Sequence, residues 1–159
     1  LYKKGMHRTG IPSLILETYI PTINAEINNY ISGLFEFNIE FELNDNNLDV
    51  YFMYNDLLNG GRGKRDVVQA SGMEGTIINL AIRAALTKIS LLPKPSVLML
   101  DEIFSTLDEE NLDKIKQFLT RLKDQYSNIV IISHLEEIKD LPEHFIQLEK
   151  ESGITSIVS

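Results

Sequence analysis

Two adjacent carboxylates, Asp101 and Glu102, follow the apolar run Val97-Leu98-Met99-Leu100. A short run of this kind reads as a strand buried on both faces, and parallel strands deliver ligand-binding groups at their carboxyl ends. Seven positions after Asp101 stands Asp108, within Ser105-Thr106-Leu107-Asp108. His134 stands 33 positions after Asp101, directly behind a second apolar run in Ile131-Ile132-Ser133-His134. Carboxylates and an imidazole gathered on one sheet edge suit nucleotide hydrolysis. Mg2+ carried by nucleotide phosphates needs only one or two protein carboxylates, a role for Asp101, and Glu102 beside it can orient and deprotonate an attacking water. His134 can hydrogen-bond the terminal phosphate. The same residues also suit plainer roles: a solvated strand end for the acidic pair, and a satisfied loop histidine for His134.

A second group opens a helix. In Ala70-Ser71-Gly72-Met73-Glu74, Ser71 is a favourable N-cap and Glu74, three residues on, completes a capping box, so helix initiation alone accounts for the spacing. The exposed amides and positive end of such a helix also form an anion site, and Gly72 permits close approach of a phosphate. Upstream, Asn59-Gly60-Gly61-Arg62-Gly63-Lys64-Arg65 superficially looks like a phosphate loop. The pattern GxxxxGK[ST] would need glycine where Leu58 stands and Ser or Thr where Arg65 stands, so it is rejected. Residues 57–68 read as a polar, glycine-bearing loop, and Asn59 to Arg65 within it as an exposed basic stretch, with DNA contact as the alternative.

Several elements must position these groups. Leu14, Ile15, Tyr19, Ile23, Ile27, Tyr30 and Ile31 recur at spacings of three and four, predicting a helix over 11–31 that Gly33 ends. Pro21 inside that stripe is expected to kink or break it near Ile20. Residues 35–43 and 47–55 alternate apolar with polar, and Asn44, Asp45 and Asn46 between them favour a tight turn, predicting an antiparallel hairpin. A helix over 72–91 precedes the strand 97–100. A further helix over 109–123, with Leu112, Ile115, Phe118, Leu119 and Leu122 on one face, leads to the strand 129–132. Strand, helix, strand at these lengths makes a parallel crossover. Residues 145–148 and 154–158, around Gly153, predict a final hairpin.

Composition bounds the function. A chain of 159 residues fits one domain with a sizeable core, and 43% hydrophobic with 24% charged residues excludes a wholly disordered chain. No apolar run approaches the roughly 20 residues of a membrane-spanning helix. The absence of cysteine excludes a disulfide framework, a zinc ribbon and a thiol nucleophile, and is compatible with a reducing cytosol. Fifteen Lys plus Arg against 23 Asp plus Glu give a net charge of −8, which does not suit a DNA-wrapping domain, so nucleic-acid contact would be a local patch or lie on another chain. Residues 1–10 lack the apolar core of a secretory signal, and the sequence reads as a fragment or processed piece.

In order along the chain, Ser71-Gly72-Met73-Glu74, the strand ending in Asp101-Glu102, the stretch from Ser105 to Asp108, and His134 resemble the signature motif, Walker B strand, D-loop and switch histidine of the second half of an ABC-type ATPase head. The glutamate-bearing signature, the Leu80-Ala81-Ile82-Arg83 helix and the kinked helix ahead of a hairpin are most similar to the SMC-like DNA repair ATPases, particularly the SbcC-type subunit of bacterial and phage nuclease complexes. The resemblance covers residues 11–159. It departs from the family at Ala70, where leucine is usual, and at Met73, where the second signature glycine is usual.

That resemblance implies an α/β fold: the C-terminal lobe of a P-loop ABC-type ATPase head, a mostly parallel sheet with flanking helices plus an antiparallel hairpin. Residues 1–33 would be the end of a coiled coil and an entry helix, and 34–159 the head lobe. The Walker A loop would lie in an N-terminal lobe of the same protein. Two heads would sandwich two ATP molecules, with Ser71, Gly72 and Glu74 of one head on the γ-phosphate held by the other and Asp108 across the seam. Asp101 would bind Mg2+, while Glu102 and His134 assist hydrolysis. Arg83 either couples the signature helix to the head or is an ordinary ion-paired arginine. An SbcD-like nuclease subunit and DNA are the implied partners, with a cytoplasmic or nucleoid location and no membrane. Nuclease chemistry would belong to the partner, because the chain has only His7, His134 and His144 and no two-metal cluster. The rival expectations are a non-catalytic ABC-like scaffold for DNA tethering, favoured by Met73, and an ABC transporter nucleotide-binding domain.

Overall fold

The computed structural model describes residues 10–44, 47–56, 61–104, 111–151 and 153–158. The first apolar stripe folds as one helix, α1 (Gly10–Ile31), which runs through Pro21 without a break. Proline removes one rung of the helical ladder, but burial of Ile23, Ile27, Tyr30 and Ile31 fixes the turns that follow, and tertiary packing outweighs local propensity. Gly33, at φ +74°, turns the chain out of the helix in a conformation that a Cβ would disfavour. The Arg121 guanidinium donates to the carbonyls of Asn29, Tyr30 and Ser32 at 3.1, 3.0 and 2.9 Å, placing a cation on the negative end of α1.

Strands β1 (Phe37–Asn44) and β2 (Asn47–Asp56) form the expected hairpin, with Phe37 opposite Tyr54, Ile39 opposite Phe52 and Asn44 opposite Asn47. Part of the segment read as a loop is a third strand, β3 (Gly61–Asp66), antiparallel to β2. Its glycines and charges conceal the alternation, because as an edge strand it needs little apolar surface. Gly63 lies against the Tyr54 ring, and a Cβ there would come within 2.2 Å of two ring carbons. A single 3-10 turn, Val67–Gln69, capped by the Asp66 carboxylate, then carries the chain to Ser71.

The outer edge of β1 is closed by side chains of α1. Asn28 accepts from the Ile39 amide and donates to the Ile39 carbonyl, both at 2.8 Å; Asn24 accepts from the Phe41 amide at 2.8 Å and donates to its carbonyl at 3.2 Å. Four helix residues rise about 6 Å and two strand residues about 6.8 Å. An i, i+4 pair of carboxamides therefore matches alternate peptide groups of a strand, and α1 serves as a surrogate neighbour for β1.

Helix α2 (Gly72–Ile89) packs on α1 and buries Ala81, Ala84 and Ala85, small side chains that permit close approach. Lys88 reaches Glu26 of α1 at 2.7 Å, and this contact raises the lysine pKa above its ordinary value. Helix α3 (Leu112–Leu122) buries Ile115, Phe118, Leu119 and Leu122. Between them β4 (Val97–Asp101) pairs in parallel with β5 (Asn128–Ile132), as the crossover pattern predicts. These two strands are covered on one face only: Leu100 is buried and Leu98, Ile129 and Ile131 pack on the core, while Val97, Met99, Val130 and Ile132 are exposed, Met99 at 63%. The expectation of strands buried on both faces is corrected on this point, because none of the described residues covers the second face. A final antiparallel pair, β6 (Gln147–Glu151) and β7 (Ile154–Val158), turns at Gly153 and exposes Leu148, Ile154 and Ile157.

Replacing Asn28 by Leu leaves the amide and carbonyl of Ile39 without their partner. We expect a loss of about 2–4 kcal/mol in folding free energy, measured by urea denaturation. Asn29→Ala, a neighbouring change that removes neither of these bonds, should stay within about 0.5 kcal/mol of wild type.

Candidate active site

Two groups of the sequence-predicted residues are assembled, at two different places. The first stands at the carboxyl end of the parallel pair. Asp101 is the last residue of β4, opposite Ile132, and the ladder continues one step further through the Glu102 amide, which donates to the Ile132 carbonyl at 2.9 Å. Glu102 has φ 50°, the only non-glycine residue with positive φ among the described residues. The left-handed region is costly for a side-chain-bearing residue and persists where the surroundings impose it. Here it turns the chain so that Glu102 Oε2 lies 2.8 Å from His134 Nδ1, although the two residues are 32 positions apart. Both side chains are open to solvent, His134 at 74% and Glu102 at 43%. With its proton on Nδ1 the imidazole donates to the carboxylate and leaves Nε2 for a further partner.

Parallel pairing produces this arrangement. Strands β4 and β5 run in the same direction, so both end at the same rim, and the residues following each strand are neighbours. The carboxylate of Asp101 is a hard oxygen donor, suited to Mg2+. Among the described residues no group of three or more His, Asp or Glu could hold a metal, so an ion at Asp101 would need most of its ligands from nucleotide phosphates and water, which is how Mg2+ is usually held.

The second group opens α2. Ser71 is the N-cap: its hydroxyl accepts from the Glu74 amide at 3.4 Å and the Glu74 carboxylate accepts from the Ser71 amide at 2.9 Å, the predicted capping box. Gly72 is the exposed first residue of the helix, and Met73 is half-buried in its first turn. Sequence reasoning missed Arg65. Its Nη2 donates to both Glu74 oxygens, at 3.1 and 3.0 Å. The only signal was a cation in a tract already weighed as a phosphate loop, and nothing in it indicated Glu74 as the partner. No hydrogen bond or ion pair joins the Ser71 group to the Asp101 group among the described residues. Asp108 lies outside the described residues.

No protein-family profile matches the chain. Among curated proteins it is 33% identical to uncharacterized protein R555 of Acanthamoeba polyphaga mimivirus, over 99% of this chain and 12% of that protein. It is 34% identical to the SbcC component of the SbcCD nuclease of Clostridium acetobutylicum, over 74% of the chain and 10% of the relative, and 32% identical to the DNA double-strand break repair Rad50 ATPase of Archaeoglobus fulgidus, over 59% and 11%. The chain thus spans about a tenth of the length of the relatives it matches. Among solved structures it superposes on the SMC head domain from Thermotoga maritima with a TM-score of 0.61 at 25% identity, covering 94% of this chain and 51% of that one. An SMC ATPase studied for its ATP-driven dimerization and DNA-stimulated activation gives a TM-score of 0.70 at 15% identity, covering 92% and 87%. On its sequence relatives and its fold together, this chain is a piece of an SMC/SbcC-like ATPase head.

Proposed function

We propose that the chain supplies the signature and Walker B side of an ATP-hydrolysing head, completed by a Walker A lobe from the N-terminal part of the same protein. The observation that carries this reading is the Glu102–His134 contact beside Asp101, on a positive-φ backbone at the ligand-bearing rim of a parallel pair. In this reading Glu102 orients and deprotonates the attacking water, and His134, carrying an N–H on each ring nitrogen, donates from Nδ1 to the carboxylate and from Nε2 to the γ-phosphate. Asp101 would hold Mg2+, which when bound neutralises phosphate charge.

The separation of the two groups favours action between copies. Ser71 and Gly72 would meet the γ-phosphate held by a second head, with Glu74 behind them capping the Ser71 amide, and Asp108 would lie along the seam. The bare apolar face of β4 and β5 favours the Walker A lobe as the missing cover, since Val97, Met99, Val130 and Ile132 form a contiguous surface of the kind proteins bury. An SbcD-like nuclease subunit and DNA are proposed as partners on the strength of the relatives' names. Among the described residues no helix is long and apolar enough to cross a membrane; action in the cytoplasm or at the nucleoid is proposed from the relatives' names alone. Met73, half-buried where the family keeps glycine, favours a second reading: a scaffold that retains the half-fold without turnover.

In the full-length protein, Glu102→Gln is expected to lower ATP hydrolysis about 100-fold or more while ATP-dependent head association persists, read by steady-state turnover and by light scattering. Loss of nucleotide binding would argue against the base assignment. Glu102→Gly, which relieves the backbone, should be as stable as wild type or up to about 1 kcal/mol more stable, and more stable than Glu102→Ala, by urea midpoint. An active head turns over ATP with Met73 in place; turnover that appears only on Met73→Gly would select the scaffold.

A further inference from the structure

We infer that Arg65 is a positioning residue that cancels the charge of Glu74, so that the amino end of α2 can accept a phosphate; this rests on the signature reading above. A glutamate in the first turn presents a difficulty in that reading. It completes the capping box, yet an uncompensated carboxylate beside the Ser71 hydroxyl would repel an incoming triphosphate and offset the positive end of the helix. The structure supplies the compensation. Arg65 Nη2 bridges both oxygens of Glu74 at 3.1 and 3.0 Å, and the same Oε2 accepts from the Ser71 amide at 2.9 Å.

The guanidinium is itself held in place. Arg65 stands directly opposite Phe52 in the β2–β3 register, and its Cζ lies 4.7 Å from the centroid of that fully buried ring, with the Tyr54 ring at 5.9 Å. Five residues separate Arg65 from Ser71, and three of them form the 3-10 turn capped by Asp66. The cation therefore belongs to the sheet and the carboxylate to the helix. The cation thus offsets the carboxylate beside a helix end at which Ser71 and Gly72 are both exposed.

The test uses the full-length protein and the ATP concentration giving half-maximal head association. Arg65→Gln should raise that concentration about tenfold, while binding of a fluorescent ATP analogue to a single head is unchanged. Adding Glu74→Gln, which keeps a capping-box acceptor but removes the charge, should restore association to within about threefold of wild type. Arg65→Lys, which keeps the charge, should also stay within about threefold and serves as the comparison if Arg65→Gln does not fold. Normal association in Arg65→Gln overturns the proposal. So does an Arg65→Gln/Glu74→Gln double variant no better than the single, or an Arg65→Lys variant as impaired as the glutamine, since either outcome describes a brace rather than charge compensation. If Ser71→Arg also leaves association intact, the signature reading itself fails; if Ser71→Arg abolishes it while Arg65→Gln is normal, only the role of Arg65 falls.

Discussion

The parallel ladder between β4 and β5 is the constraint on which the site depends. Antiparallel pairing would put the ends of the two strands on opposite rims, and Glu102 and His134 would lie a strand length apart. With Asp101 opposite Ile132 and the Glu102 amide on the Ile132 carbonyl, the residues after each strand emerge side by side. The ladder is only two strands wide, and its second face is uncovered among the described residues. Exposed Val97, Met99, Val130 and Ile132 mark where another layer would add apolar burial, at about 25 cal/mol per Å2 removed from water. The geometry of the rim and the uncovered apolar face thus arise from the same two strands.

Helix α1 ties the antiparallel sheet to α2 and α3. Its buried stripe packs against β1, α2 and α3, and its two asparagines close the edge of β1 with hydrogen bonds that a neighbouring strand would otherwise make. A helix that both packs on and hydrogen-bonds to a sheet edge can shift along it only by breaking four contacts at once. The sheet in turn holds Arg65 against Glu74. Consequently α1, the antiparallel sheet and the amino end of α2 form one continuous series of contacts, separate from the Glu102–His134 rim.

Elements with strong periodicity were legible in the sequence. The alternation from Phe37 to Tyr54 predicted a hairpin that the register bears out, and the Ser71/Glu74 spacing predicted a capping box that forms. The pattern failed where local residues do not carry the deciding information. Gly61-Arg62-Gly63-Lys64-Arg65-Asp66 has no apolar face, because β3 gains its place from β2 and from the Tyr54 ring over Gly63. Pro21 did not end α1, because burial downstream of it outweighs one missing hydrogen bond. The run Val97 to Leu100 signalled what a strand tends to bury, but not whether this chain contains something to bury it. Arg65 was the residue furthest from legibility, since its partner is defined only once β3 and α2 are placed in space.

The central claim is that the Ser71 end of one copy and the His134 rim of another meet at a single triphosphate. The chain contains no cysteine, so introduced thiols are unique within it. Ala70→Cys and Ser133→Cys forms of the full-length protein, any cysteines elsewhere removed, can be mixed and treated with a short bismaleimide. The account predicts covalent heterodimers that join the two forms and accumulate only with ATP bound. Cross-linking that ignores nucleotide, or mixed samples that yield no heterodimer while the heads associate normally, would contradict it.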